Sequence, residues 1–293
     1  MINLSARDEP ELGLPPKTAR YYFGRLNVVS SETDKRQLFS NALSSKAVLQ
    51  VGRQRWGFYE FKGLEDLAGT FFTGYLVKYR PEDEEEVVVP EDHSLTESAI
   101  RNRVTAKSRF FLHVATSVIA YHSIAGQIPR STFGTRFVQV FRNAMNEFFV
   151  EAEIEPIGND DELLNLLKRF SEVHNVSISL HPSNPSSRDI WKDVDERIRK
   201  INATKYIEKY EIDPRKGSLN VASDADITSK ISMAQDGYGQ AQITGKLDGK
   251  EQTVTTQDNP IGVILTDYND EHPEQILPEL TETILSLITR FKK

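Results

Sequence analysis

The chain of 293 residues contains no cysteine. A disulfide framework, a thiolate zinc site and a cysteine nucleophile are therefore excluded, and the composition fits a reducing compartment. Long hydrophobic runs are lacking as well, because the longest apolar stretch, from Phe110 to Ala120, is interrupted by His113. That stretch is shorter than the roughly 18 to 20 residues that a membrane-spanning helix needs.

The motifs of several enzyme classes are also missing. The sequence holds no GxxxxGK[ST], no GxGxxG and no GxSxG, which argues against an NTPase, a dinucleotide enzyme and an α/β hydrolase. No histidine stands in an HExxH or other paired metal spacing. We therefore expect no cofactor, no metal ion, and a binding protein rather than an enzyme. The acidic start, MINLSARDEPELG, does not resemble a secretory signal, so we expect a cytoplasmic protein.

Charge is distributed very unevenly along the chain, although the formal net charge is only −7. Residues 81–97 contain eight carboxylates and no lysine or arginine, whereas residues 98–146 contain seven lysines and arginines and no carboxylate. Such asymmetry indicates a polyanionic ligand or an acidic partner surface. The alternative is that the acidic run folds back over the basic segment, in the same chain or in a neighbouring subunit.

The overall pattern predicts an α+β protein with two halves after an irregular lead-in over residues 1–19. Residues 20–146 form a mainly antiparallel, β-rich half with a solvated acidic loop at 81–97 and the basic segment at 98–146. Hydrophobic periodicity assigns the elements of this half. The predicted strands are 21–29, 46–61, 70–79, 110–114 and 118–124, and the predicted helices are 32–43, 96–107 and 130–149.

Residues 147–293 predict a ferredoxin-like α/β sandwich. Two alternating strands, near 150–157 and 176–181, flank a helix, and such a β-α-β unit places its strands parallel. Asp248-Gly249 is a strong signal for a hairpin turn. The wide apolar stripe of the last helix, over 273–291, favours a helix docked on its own domain over a dimer seam.

Two clusters of residue types have weak catalytic or metal-binding character. Glu60-Phe61-Lys62 has the acid-x-Lys spacing of many metal-dependent nucleases, but its partner aspartate is not identifiable. Glu151, Glu153 and Glu155 share one face of a predicted strand and have the oxygen ligands that a divalent cation prefers. An exposed, solubilising strand face is the favoured explanation of these three glutamates, since the sequence offers no second cluster of ligands to complete a metal site.

The basic segment is the strongest candidate for a binding site. Its cations alternate with aromatic residues, a mixture that nucleic-acid-binding surfaces use to neutralise phosphates. Lysines and arginines of neighbouring strands, among them Lys78 and Arg80, extend the patch if those strands pack alongside. The predicted nucleic-acid contacts are Arg101, Arg103, Lys107, Arg109, Arg130, Arg136 and Arg142.

Three short strings, SNPSSRDIW, DGYGQAQITG and TTQDNP, resemble an uncharacterised family of bacterial cytoplasmic proteins. The resemblance covers residues 148–260 and implies a setting among mobile-element and phage-defence genes. It supplies no catalytic residues.

Taken with the charge pattern, the resemblance favours a non-enzymatic nucleic-acid-binding component of a bacterial defence system. An alternative is a scaffold that assembles with itself or with a protein partner through its acidic and basic segments. A third reading is a metal-dependent nuclease that uses Glu60 and Lys62.

Overall fold

A computed structural model describes residues 18–29, 34–89, 94–145, 151–159, 162–183, 188–266 and 269–292, with the side chains of 82–89 and 94–101 left out. The predicted lead-in therefore lies almost entirely outside the described residues. The strands are β1 Thr18–Val29, β2 Val48–Val51, β3 Gln54–Asp66, β4 Gly69–Val89, β5 Ser94–His113, β6 Val118–His122, β7 Glu151–Pro156, β8 Phe170–Leu180, β9 Tyr206–Glu211, β10 Gly239–Leu247, β11 Lys250–Thr255 and β12 Gly262–Thr266. The helices are α1 Lys35–Leu43, α2 Arg130–Ala144, α3 Glu162–Leu167, α4 Lys192–Lys200, α5 Ala225–Met233 and α6 Pro273–Arg290.

The large sheet has eight strands in the order β12-β1-β6-β5-β4-β3-β2, with β7 pairing along the second half of β1. Alternate residues of a strand point to opposite faces, so both faces of this sheet carry a core. Phe110 packs beneath α1 and α2, while the next residue, Phe111, packs beneath α6. The prediction of a mixed α and β fold with a large antiparallel sheet is confirmed. The last helix packs within the chain as expected, but on the large sheet and not on the small sheet of its predicted domain.

The small sheet has four strands in the order β11-β10-β8-β9, and all of its pairs are antiparallel. Side chains of α3, α4 and α5 cover one of its faces with a separate hydrophobic core. The predicted hairpin at Asp248-Gly249 joins β10 to β11, and both turn residues have the positive φ that such a turn requires.

The predicted parallel β-α-β unit was wrong. β7 pairs antiparallel with β1 in the large sheet, whereas β8 belongs to the small sheet. The alternation of glutamates with apolar residues correctly identifies β7 as a strand, but periodicity contains no information about which strand is its neighbour. The ferredoxin-like prediction depended on this unit. The boundary at residue 147 also does not separate the sheets, since β7, β12 and α6 all belong with the large one.

The predictions of an acidic loop at 81–97 and a helix at 96–107 were also wrong. β4 and β5 pair along a long antiparallel ribbon, in which Glu82 lies opposite Arg101 and Val87 opposite Thr96. Beyond Tyr79 and Val104, neither strand pairs with another strand among the described residues. A run of like charges resembles a loop in isolation, but here it pairs with a strand segment that carries little charge, and Glu82 lies directly opposite Arg101.

Candidate nucleic-acid interface

Arg109, one of the predicted nucleic-acid contacts, is buried and paired within the protein. Its side chain is only 2% exposed, and its Nη2 donates to the backbone oxygen of Asp270 at 2.6 Å. Its Nε lies 3.3 Å from the Asp270 carboxylate, and its guanidinium lies 3.7 Å from the Tyr75 ring centroid. A buried, paired arginine cannot reach a phosphate, so the prediction for Arg109 is corrected.

The other cations of β5 differ in their surroundings. Arg101 lies opposite Glu82 in the ribbon, although its side chain is outside the described part. Arg103 is half-buried opposite Arg80, and both have further partners. Lys107 is exposed, with its Nζ 4.4 Å from the Tyr75 ring centroid. The register therefore places the acidic run of β4 beside residues 97–101, so that Arg101 is the cation of the basic segment that lies directly opposite a carboxylate.

Helix α2 differs from β5 in the surroundings of its arginines. Phe133, Phe137, Val140 and Phe141 form the buried stripe against the large sheet. At about 100° per residue, Arg142 lies on the side of the helix opposite the buried stripe and is exposed. Arg136 lies at the edge of the stripe and Arg130, the first residue of the helix, lies in line with it; both are half-buried. None of these three arginines forms an ion pair with any residue in the described ranges.

The two half-buried arginines of α2, Arg130 and Arg136, lie over aromatic rings. The Arg130 guanidinium lies 5.4 Å from the ring centroid of Tyr22, and that of Arg136 lies 5.9 Å from Trp56. Lys78 reaches the same indole from β4, with its Nζ 5.7 Å from the ring centroid. Arg136 also donates to Gln139 Oε1 at 2.6 Å. Aromatic rings orient a cation without neutralising its charge.

The proposed nuclease motif is not assembled into a site. Glu60 has φ +54° at the irregularity between Tyr59 and Lys62, and both Glu60 and Lys62 are exposed. Among the described residues, no group of three potential metal ligands includes Glu60. The geometry therefore gives no support to metal-dependent cleavage at this position.

Two of the three strand glutamates meet a histidine that the sequence did not connect with them. Ligand atoms of Glu153, Glu155 and His181 lie within 4.8 Å of one another. Their oxygens already accept hydrogen bonds: His181 and Lys205 contact Glu153 at 2.9 and 3.2 Å, while two glutamine amides reach Glu155 at 3.1 and 3.4 Å. These internal donors account for the cluster.

The environments of these glutamates push their pKa values apart. Hydrogen bonding to His181 lowers the pKa of Glu153 to about 2, because the bond favours the charged form. Burial raises the pKa of Glu155 to about 7, since its carboxyl is only 2% exposed. The pair therefore combines a charged carboxylate, Glu153, with a carboxyl, Glu155, that still holds a proton in part of the molecules at neutral pH.

A cavity of about 610 Å³ lies where the two sheets meet. It is walled by the second half of β1, the first turns of α1, the turn between β5 and β6, the end of β8 and Arg199 of α4. Its cations are Arg25, Lys35, Arg36 and Arg199. Sequence reasoning missed this site because its residues come from segments that are up to 174 positions apart, as Arg25 and Arg199 show.

Arg25 forms the floor of this junction. Its Nε donates to the Asp236 backbone oxygen at 2.9 Å and its Nη1 to the Thr116 oxygen at 2.6 Å. The guanidinium lies 4.1 Å from the ring centroids of both Tyr238 and Phe291. Its Nη2 is buried with no hydrogen-bond partner.

Asp236 fixes the surroundings of Arg25. Its fully buried carboxylate lies 2.6 Å from Arg290 Nη2 and 3.3 Å from Arg188 Nη1, and it accepts a hydrogen bond from Trp191 Nε1 at 2.9 Å. The next residue, Gly237, has φ +83°, and a Cβ there would lie 2.9 Å from that of Arg25. The DGYG string is therefore the joint between the two sheets and α6.

Comparison with known proteins identifies the family but no activity. None of the helices in the described ranges is long and apolar enough to cross a membrane. No curated protein matches the chain. A family described as "Domain of unknown function (DUF4747)" matches residues 19–282, which confirms the predicted resemblance to an uncharacterised family. The chain therefore belongs to the DUF4747 family.

Proposed function

We propose that the protein binds nucleic acid without cleaving it and that α2 is its main contact with the phosphates. One observation supports this most strongly: α2 carries Arg130, Arg136 and Arg142, has no carboxylate, and forms no ion pair with any described residue. Lys78 adds a fourth cation beside Trp56. By contrast, the fold buries Arg109 of β5 against Asp270 and places Arg101 opposite Glu82.

Binding would be driven by the release of counterions from the nucleic acid. Each phosphate that a cation neutralises adds about 0.9 to the slope of log affinity against log salt for duplex DNA. Three arginines and Lys78 would therefore contribute a slope of about 3 to 4. The contacts are to the backbone, so we expect little preference for sequence.

The biological setting belongs to the same proposal. The strings SNPSSRDIW, DGYGQAQITG and TTQDNP resemble proteins from phage-defence and mobile-element neighbourhoods. We place the protein in the bacterial cytoplasm as the nucleic-acid-binding component of such a system.

The test measures affinity for labelled duplex DNA, single-stranded DNA and RNA at about 100 mM salt, a concentration at which charge contacts still contribute strongly. The variant R130Q/R136Q/R142Q removes the three charges of α2. A matched control, K192Q/R215Q/K250Q, removes three exposed charges around the small sheet.

We expect the α2 variant to lose at least 30-fold in affinity, by the counterion argument, and the control to lose less than about threefold. Thermal unfolding of both variants checks that they remain folded. Equal affinity of the α2 variant and the wild type, or no binding by the wild type, would overturn the proposal.

A further inference from the structure

We infer that the cavity between the two sheets binds a small phosphorylated molecule of mononucleotide size, with its phosphate against Lys35, Arg25 and Arg199. This site is separate from the α2 surface and does not depend on it. The volume, the charge and an unused hydrogen-bond donor support this assignment.

The volume suits a small ligand. Pockets for small molecules commonly enclose about 300 to 1,000 Å³, and this cavity encloses about 610 Å³. That is space for one nucleotide rather than for a strand. Val28, Val114 and Pro182 provide an apolar part of the wall for the portion of the ligand without phosphate.

The charge suits an anion. The cations Arg25, Lys35, Arg36 and Arg199 converge from three elements. Burial and then the fields of Arg25 and Arg199 lower the pKa of Lys35 to about 8, as expected where positive charge is concentrated. Lys35 is also the first residue of the nine-residue helix α1, where the helix dipole adds positive potential.

Most charged and titratable groups of the cavity, Arg199 among them, also have partners within the protein. Asp34 caps α1 by accepting from the backbone N–H groups of Arg36 and Gln37 at 2.9 and 3.2 Å. His181 bonds to Glu153 at 2.9 Å. The Arg199 Nε donates to Asp195 at 2.8 Å and its Nη2 to Ser183 at 3.0 Å, and the exposed Arg36 lies 3.7 Å from Glu65.

The unused donor is Nη2 of Arg25, a residue that lines the cavity and is 1% exposed. A buried charged donor without a partner is costly, and a phosphate oxygen would satisfy it. The other two nitrogens and both faces of the guanidinium are held by Asp236, Thr116, Tyr238 and Phe291. The group is therefore already oriented before a ligand arrives.

The test uses titration calorimetry with three probes: AMP, inorganic phosphate and adenosine. We expect AMP and phosphate to bind the full chain and adenosine, which lacks the phosphate, to bind at least tenfold more weakly than AMP. Lys35→Met retains the apolar stem, so folding is preserved, and should weaken AMP binding at least tenfold. Lys35→Arg should restore most of the affinity.

The matched control is Lys192→Met, because Lys192 is also the first residue of a helix, is exposed and lies outside the cavity. It should bind AMP like the wild type. A second readout follows from the titration of Lys35: at pH 8.5 a bound phosphate should draw a proton onto its amine. Calorimetry in buffers of different ionisation enthalpy should detect this uptake in the wild type and not in Lys35→Met.

No binding of AMP or phosphate, equal affinity of Lys35→Met and Lys192→Met, or equally tight binding of adenosine would each overturn the inference. The α2 variant R130Q/R136Q/R142Q should retain full AMP affinity. This arm keeps the outcome for the cavity distinct from the outcome for the nucleic-acid surface.

Discussion

Strand β5 and helix α2 belong to the same carboxylate-free segment, yet the fold treats their cations in opposite ways. β5 lies beside the acidic run of β4, and its Arg109 is buried against Asp270. α2 lies on the large sheet with its arginines over aromatic rings and without carboxylate partners in the described ranges. The charge of a segment therefore becomes the charge of a surface only where pairing across the sheet leaves it unneutralised.

The largest expected effect on stability concerns charged side chains that are buried and ion-paired within the fold. Asp236→Ala should lower the free energy of unfolding by about 3–5 kcal/mol, because Arg188 and Arg290 would remain largely buried without their carboxylate. Urea denaturation measures the change. The exposed pair of Asp248 and Arg169 provides the control, since Arg169→Ala should cost less than about 1 kcal/mol. Similar losses of unfolding free energy in both variants would refute the contrast between buried and exposed charges.

The next largest effect on stability is expected when an arginine of β5 and an arginine of α2 are each replaced. Arg109→Met should cost about 2–3 kcal/mol, because it removes the charge-assisted hydrogen bonds that a buried arginine makes to Asp270, whereas Arg142→Met should stay within about 0.5 kcal/mol. Thermal and urea unfolding give both values. If Arg109→Met were as stable as the wild type, its burial would have no structural role and the comparison would fail.

A smaller effect extends the comparison to carboxylates. Burial raises the pKa of Glu155 from an ordinary 4.5 to about 7, so between these values the folded state holds a proton that the unfolded state has lost. The contribution of this group to stability therefore falls as pH rises through that window and levels off above it.

Glu155→Gln mimics the protonated form and should remove this pH dependence. At about 1.36 kcal/mol per pKa unit, its advantage over the wild type should grow by about 2 kcal/mol from pH 5 to pH 8. Urea denaturation at the two pH values measures the difference. A constant difference between variant and wild type would show that Glu155 does not titrate in this range.

Local patterns predicted the local structure well. The aromatic stripe of α2, the turn at Asp248-Gly249 and the alternation in β7 all appear as elements where the periodicity placed them. These signals depend on neighbours within a few residues, so one sequence contains them.

Long-range pairing was not readable from the same patterns. The charge pattern left open that residues 81–97 fold back over the basic segment, but it indicated neither a strand nor a register, and nothing in β7 indicates that β1 is its partner. The cavity depends on the same kind of information, since Arg25, Lys35 and Arg199 meet only after the two sheets have packed. In the sequence, the nearest signal for this junction was the DGYG string. Its two glycines suit a position at which neighbouring atoms leave no room for a Cβ.

The most direct test of the account is the salt dependence of binding to duplex DNA for two variants that each lose three charges. R130Q/R136Q/R142Q alters α2, and R101Q/R103Q/K107Q alters β5. We predict that the slope of log affinity against log salt falls by about 2.7 for the α2 variant and by less than about 1 for the β5 variant. The reverse order, with the larger loss for β5, would contradict the claim that α2 is the main phosphate contact.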